Sequence, residues 1–206
     1  MTTQIAPYWK AAKTHLRCVD PMMSRLIDLY EDPPLRTLGR PFETLVHAIV
    51  GQQISAKAAD AIWRRFLDLV GEVSPAQVAR HSREAYREVG LSHRKAEYIL
   101  GLADSGSWIE THSWSEMCDD DIKSTLCGLR GVGPWTAEMV LIFSFMRPDI
   151  FPLGDIGIVR AIEALYHDKS RLTPEQLLKI AEPWRPFRTV GTWYIWRHLD
   201  DEPVQY

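Results

Sequence analysis

Three features of the 206-residue chain predict an all-α protein. Apolar residues recur at helical spacing, as in Met139, Val140, Ile142, Phe143 and Met146. Val, Ile and Thr never alternate over a strand-length run. Small polar residues stand directly before proline, as in Ser74-Pro75 and Thr173-Pro174, a cap followed by a residue suited to the first helical position.

In chain order, Tyr8-Trp9 through Val19 reads as a helix, and Pro21 opens another with Met22, Met23, Leu26, Ile27 and Tyr30 on its apolar face. The run D-P-P-L-R-T-L-G-R-P-F at 32–42 is a Pro/Gly connector and the best place for a crossing between lobes. A helix follows from Phe42 to Val50. Gly51 to Ser55 breaks its pattern, and a long helix resumes from Lys57 through Leu67. Ser74 caps a helix over 74–79, and Ser92 caps a further one through Leu100. Trp114 to Leu126 supplies the next. Asp155 is poised to cap a helix from Ile156 to Tyr166, T-P-E-Q-L at 173–177 starts another, and residues 183–199 form the last. There is no internal repeat and no low-complexity segment.

Length and composition suit one large domain or two small lobes able to bury most of their apolar surface. No apolar run reaches membrane-spanning length, and M-T-T-Q-I-A-P-Y-W-K lacks a secretory apolar core, so a cytoplasmic location is expected, or a nuclear one in a eukaryote. Cys18, Cys118 and Cys127 are scattered and odd in number, which gives neither a disulfide framework nor a C-x-x-C knuckle. The seven histidines form no H-x-x-x-H pair, so no catalytic metal is expected. Net charge is −3, whereas dedicated DNA binders usually carry a basic face. Backbone amides can hold phosphates without raising the pI, and Arg80, Arg83, Arg87, Arg94 and Lys95 concentrate positive charge locally.

The most informative stretch runs from Leu126 to Arg160. Gly131 and Gly133 flank Val132, so the turn can adopt φ > 0 and present bare backbone to a partner. Pro134 then begins a helix whose unpaired first N–H groups suit a phosphate. L-R-G-V-G-P-W-T-A resembles the hairpin of the helix-hairpin-helix (HhH-GPD) DNA glycosylases, and F-P-L-G-D-I-G-I-V-R resembles the segment carrying their catalytic aspartate. A-I-V-G-Q-Q-I-S at 48–55 and R-P-F-R-T at 185–189, followed by W-Y-I-W at 193–196, resemble blocks of the DNA-3-methyladenine glycosylase II branch. The four blocks stand in the family's order across roughly residues 40–200. The endonuclease III branch, with its iron–sulfur cluster held by four C-terminal cysteines, is excluded, because no cysteine lies beyond Cys127.

The resemblance implies a two-lobed helical fold with a cleft between the lobes, one lobe about 41–147 and the other about 1–40 plus 148–206. It makes Asp155 the catalytic carboxylate, steadying positive charge on the deoxyribose and orienting water; the same residue also reads as a plain helix cap. Trp135 stands where strand-nicking relatives carry lysine. An indole forms no Schiff base, so the enzyme is expected to be monofunctional, with Trp135 gripping a cationic alkylpurine. Trp196 matches a second pocket aromatic, and Met139 and Ile156 fall where relatives place further pocket residues. Both tryptophans also read as core. Gln53, with Ile54 beside it, matches the side chain that fills the gap left by an extruded nucleotide, or is a helix-cap glutamine.

Gly131, Val132 and Gly133 would bind phosphate through their amides, and Arg188 would reach a phosphate or pair with a carboxylate. The carbonyls of Cys127, Leu129 and Val132 match those that hold a monovalent Na+ or K+ in relatives bound to DNA; no other cofactor is implied. The expected partner is double-stranded DNA containing alkylated bases, bound by a monomer away from any membrane. A glycosylase for another lesion (mismatch, uracil or oxidised base), a non-catalytic DNA-binding module and a small-molecule enzyme are the competing readings.

Overall fold

Local caps set most of the helix starts. The serines Ser55, Ser74, Ser82 and Ser92 each accept the backbone N–H three residues on, and Thr173 forms a reciprocal capping box with Gln176. The computed structural model describes residues 4–30, 34–168 and 170–199. The first two residues of the expected 32–42 connector lie outside them, as do 200–206 of the expected second lobe.

The described residues form a short strand β1 (Gln4–Ile5), helices α1 (Trp9–Val19) and α2 (Pro21–Leu29), and a strand β2 (Arg36–Thr37). Helices α3 (Pro41–Gly51), α4 (Ala56–Val70), α5 (Pro75–Val78), α6 (Arg83–Glu88), α7 (His93–Asp104) and α8 (Gly106–Thr111) follow. Then come α9 (Asp119–Cys127), α10 (Pro134–Phe143), α11 (Ile156–Tyr166), α12 (Pro174–Ala181) and α13 (Arg188–Leu199). The all-α expectation holds. The two strands add only a two-residue antiparallel ribbon, Gln4 opposite Thr37 and Ile5 opposite Arg36. No helix among the described residues is long and apolar enough to cross a membrane.

Four helical elements differ from the sequence expectation, among them α6, where no helix was expected. The helix expected from Trp114 is a 3-10 turn, Trp114–Glu116, and α9 starts only at Asp119, where three consecutive aspartates suit the positive end of the helix dipole. The last helix starts at Arg188 rather than 183, because Pro186 has no N–H to continue a helix. The short α8 was not expected, since its S-G-S start reads as a loop. Gly106 is there for space: a Cβ would sit 2.2 Å from the Pro75 ring.

The chain divides into two compact units, one of residues up to Leu38 with those from Leu141 on, the other Gly39–Val140. The second boundary lies inside α10, earlier than the 147 expected. In the Gly39–Val140 unit, α3 is the buried centre, with eight of its eleven residues buried, and it packs on α4, α7 and α8. His47 of α3 stacks on Trp63 of α4 at 4.1 Å, and burial pushes its pKa down to about 4, so the imidazole is neutral at physiological pH. Lys123 of α9 pairs with the buried Glu138 of α10, tying the two helices together.

The other unit is organised around Asp20. Its Oδ1 accepts the amides of Met22 (2.8 Å) and Met23 (3.2 Å), starting α2. Its Oδ2 accepts Trp184 Nε1–H at 2.7 Å and Tyr166 O–H at 2.8 Å, which fastens α2 to the end of α11 and to the turn before α13. Burial and the Asp20 charge push the Tyr166 hydroxyl pKa up, so it stays a donor. Truncation of this side chain strands one buried and one half-buried donor and removes a cap. Asp20→Ala is therefore expected to lose about 3–5 kcal/mol of unfolding free energy in urea titrations; a loss below about 1 kcal/mol would contradict the hub role.

Candidate nucleic-acid interface and catalytic carboxylate

In the Gly39–Val140 unit, the hairpin is built from the end of α9, residues 128–133 and the start of α10. Gly128, Leu129 and Val132 N–H groups donate to the carbonyls of Thr125, Leu126 and Leu129, a succession of tight turns. Gly131 has φ +89, and a Cβ there would meet the Tyr98 ring at 2.3 Å. Its glycine is thus required both by backbone conformation and by the ring that supports the turn from α7. Arg130 covers the same ring, its guanidinium 5.7 Å from the centroid, and pairs with Glu97 at 3.2 Å. Gly133 differs: a Cβ would have nothing within 4 Å, so nothing inside the protein demands glycine there. Val132 is buried, leaving its backbone as its contribution to the turn. Beyond the turn, Trp135 is half-buried at the second position of α10, while Met139 is 1% exposed and belongs to the packed interior.

The turn between α3 and α4 lies in the same unit. Gln53 is exposed and has φ +58, a conformation uncommon for a side chain larger than hydrogen, and Ile54 beside it is exposed as well. Before it, Gln52 Nε2 donates to Gly131 O (3.0 Å) and to Thr136 Oγ1 (2.9 Å). Lys95 Nζ, reaching over from α7, donates to Val50 O (2.8 Å) and Gln52 O (2.7 Å). Desolvation lowers the Lys95 pKa. In the sequence Lys95 registers only as local positive charge, and Gln52 and Tyr98 carry no signal of a role. Their partners are distant in sequence and no periodicity reveals them.

In the other unit, Asp155 is the N-cap of α11. Its Oδ1 accepts Ile158 N–H at 2.9 Å, and its own N–H donates to Pro152 O. A Cβ on Gly157 would sit 3.1 Å from Asp155 Oδ1 and 3.2 Å from Leu199, so glycine leaves room beside the carboxylate. Ile156, the next residue, is 67% exposed. Trp196 of α13 is buried and stacks on Phe143 at 5.6 Å, nearly parallel. Of the two roles open to Arg188, a phosphate contact or a carboxylate pair, the structure shows the pair. Its Nε donates to Asp149 Oδ1 (2.7 Å), and its Nη2 donates to Asp149 Oδ2 (3.0 Å) and the Asp149 carbonyl (2.9 Å). With the side chain 13% exposed and Arg185 sharing the same carboxylate, Arg188 anchors the start of α13. Such a bidentate, charge-assisted pair fixes the guanidinium in geometry as well as in energy.

The geometry therefore holds a glycine turn with open space at Gly133, an exposed side chain on a strained turn, and a capped carboxylate. Comparison with known proteins places these features in one family. A profile of the HhH-GPD superfamily of base excision DNA repair proteins matches residues 46–186. DNA-3-methyladenine glycosylase 1 of Schizosaccharomyces pombe is 31% identical over 90% of this chain and 86% of its own length. A solved structure of the S. pombe 3-methyladenine DNA glycosylase in complex with abasic DNA superposes with a TM-score of 0.82 at 31% identity, over 91% of this chain and 95% of that one. A DNA-3-methyladenine glycosidase from Bacillus halodurans gives 0.69 at 32% identity, covering 96% and 92%. With the hairpin, the turn at 51–55 and most of the helices inside the matched region, the chain belongs to the HhH-GPD superfamily of base excision DNA repair proteins.

Proposed function

We propose that the protein is a monofunctional DNA glycosylase that removes alkylated purines, of the 3-methyladenine and 7-methylguanine type, from duplex DNA. The observation that carries the reading is Asp155: a carboxylate fixed by its own helix start, in a chain whose named relatives are DNA-3-methyladenine glycosylases. The S. pombe structure in complex with abasic DNA supports DNA as partner and fits an abasic sugar as product.

The proposed reaction begins when the lesion is extruded, with Gln53 and Ile54 filling the gap. Alkylation leaves the purine cationic, and the Trp135 indole attracts it by stacking and cation–π contact. The C1′–N bond breaks with its electron pair leaving on the base, which departs as a neutral purine. Positive charge develops on the deoxyribose. A carboxylate about 4 Å away, at an effective dielectric near 20, stabilises that charge by on the order of 4 kcal/mol, roughly three decades of rate. Water adds to C1′, its proton passes to Asp155, and the products are free base and an abasic site. Trp135 provides no amine for a Schiff base, so the strand is left intact.

Trp196 and Ile156 are proposed as further contacts to the base. Met139, buried one helical turn beyond Trp135 on α10, is proposed to back the pocket from inside the unit rather than to touch the base. The amides around Gly131, Val132 and Gly133 are proposed to take a phosphate. The Cys127, Leu129 and Val132 carbonyls suit a monovalent Na+ or K+ in the DNA complex, being neutral oxygens. Leu129 O accepts Val132 N–H at 3.1 Å and, like any carbonyl, carries a second lone pair. The protein is proposed to act as a monomer without further cofactor, on DNA in the cytoplasm of a bacterium or the nucleus of a eukaryote.

Asn caps a helix as well as Asp does, so Asp155→Asn is expected to keep the fold and the affinity for duplex DNA. It should lower single-turnover excision from methylated DNA about 1000-fold; an unchanged rate would remove Asp155 from the chemistry. The two glycines separate fold from binding. Gly131→Ala should lose about 2–4 kcal/mol of stability through strain and the clash with Tyr98. Gly133→Ala should stay within about 1 kcal/mol of wild type yet bind duplex DNA about tenfold more weakly. Equal DNA affinity for Gly133→Ala and wild type, measured by fluorescence anisotropy, would place the phosphate elsewhere.

A further inference from the structure

Two hydrogen-bonded anchors meet at the turn between α3 and α4, and neither belongs to the chemistry described above. From one side, Lys95 Nζ holds Val50 O in the last turn of α3 and Gln52 O of its C-cap, at 2.8 and 2.7 Å. An ammonium at a helix C-terminus satisfies orphan carbonyls and complements the dipole. From the other side, the Gln52 amide reaches Gly131 O at 3.0 Å and Thr136 Oγ1 at 2.9 Å, and so binds the hairpin at its glycine and at the first turn of α10. Directly after Gln52, Gln53 is held at φ +58 with its side chain exposed. A non-glycine residue in that region persists only where its surroundings over-determine it. The four bonds are that over-determination.

We propose that Lys95, acting with Gln52, is a positioning residue that couples the Gln53 wedge to the phosphate-binding hairpin, so that gripping the backbone and filling the vacated base position occur in fixed register. The inference rests on the glycosylase reading of the hairpin and the wedge. Lys95 touches neither base nor sugar in this account. Its loss leaves the carboxylate and the hairpin glycines in place but lets the 52–55 turn relax toward ordinary backbone conformations, and the wedge loses its aim. The step impaired is extrusion of a paired lesion, since that is the step in which the wedge must arrive where the base was. Lesions that are already unpaired cost less to extrude and need the wedge less.

The test compares wild type with Lys95→Met, which keeps the length of the stem and removes the donors. Single-turnover release of 7-methylguanine is measured from two duplexes, one with the lesion paired to cytosine and one with it opposite an abasic site. Misplacement by about an ångström costs up to two decades of rate, so Lys95→Met should be about 30–100-fold slow on the paired duplex. On the unpaired lesion it should come within about threefold of wild type. Its affinity for undamaged duplex should fall with log salt at the wild-type slope, because a lost phosphate contact would lower that slope by about one. Equal losses on both duplexes, no loss on either, or a reduced salt slope would each overturn the positioning role. If Lys95→Met proves unfolded by circular dichroism, Gln52→Met carries the same test from the hairpin side with the ammonium retained, and the same split is expected. A wild type that releases no base from either duplex would instead overturn the glycosylase reading itself.

Discussion

A single amide, the N–H of Ile158, holds one oxygen of Asp155 at 2.9 Å, and the proposed chemistry depends on that bond. A carboxylate stabilises a developing sugar cation only if it is already in place when the charge appears, because reorienting it then would consume the energy gained. The helix start would do this at no extra cost: the cap that begins α11 is also the group proposed to act. Gly157 keeps the neighbouring space clear, and Pro152 O fixes the backbone of Asp155 from the other side. In the proposed mechanism one residue serves structure and function, and the two roles reinforce each other rather than compete.

The Gly39–Val140 unit applies the same economy to backbone. Gly131 is forced by a positive φ and by the Tyr98 ring, while Gly133 faces open space. The first glycine shapes the turn and the second leaves it bare for an approaching partner. The absence of a basic excess in the composition fits this arrangement, because amides and a helix start supply local positive potential that net charge does not register. Several of the exposed arginines are already engaged with acceptors of the chain, Arg83 and Arg130 both on Glu97 and Arg65 on the Val89 carbonyl. Their formal charge overstates what is available for phosphate.

Features fixed locally were legible in the sequence. Ser74, Ser92, Thr173 and Asp155 all cap the helices expected of them, because a cap is a contact over three residues. The helix run from Ile156 to Tyr166 matches residue for residue. The family blocks were legible too, since a turn that needs glycine and a helix start that needs a cap leave ordered traces. What stayed hidden were contacts between residues far apart in the chain. Asp20 draws no expectation from the sequence, yet one of its oxygens caps α2 and the other organises Tyr166 and Trp184, well over a hundred residues away. Lys95 reads as surface charge and Arg188 as a partner for either a phosphate or a carboxylate, until the carbonyls at the end of α3 and the carboxylate of Asp149 are seen to claim them. A long basic side chain has the reach to choose among several partners, and sequence does not record the choice.

The central claim is hydrolysis at C1′ without attack by an amine of the protein, and the products distinguish this most directly. Methylated duplex DNA is incubated with the wild-type protein, released bases are separated by chromatography, and the strand is examined with and without alkali. The account predicts free 3-methyladenine and a strand that breaks only after alkali. A strand nicked without alkali, or no free base at all, would contradict it.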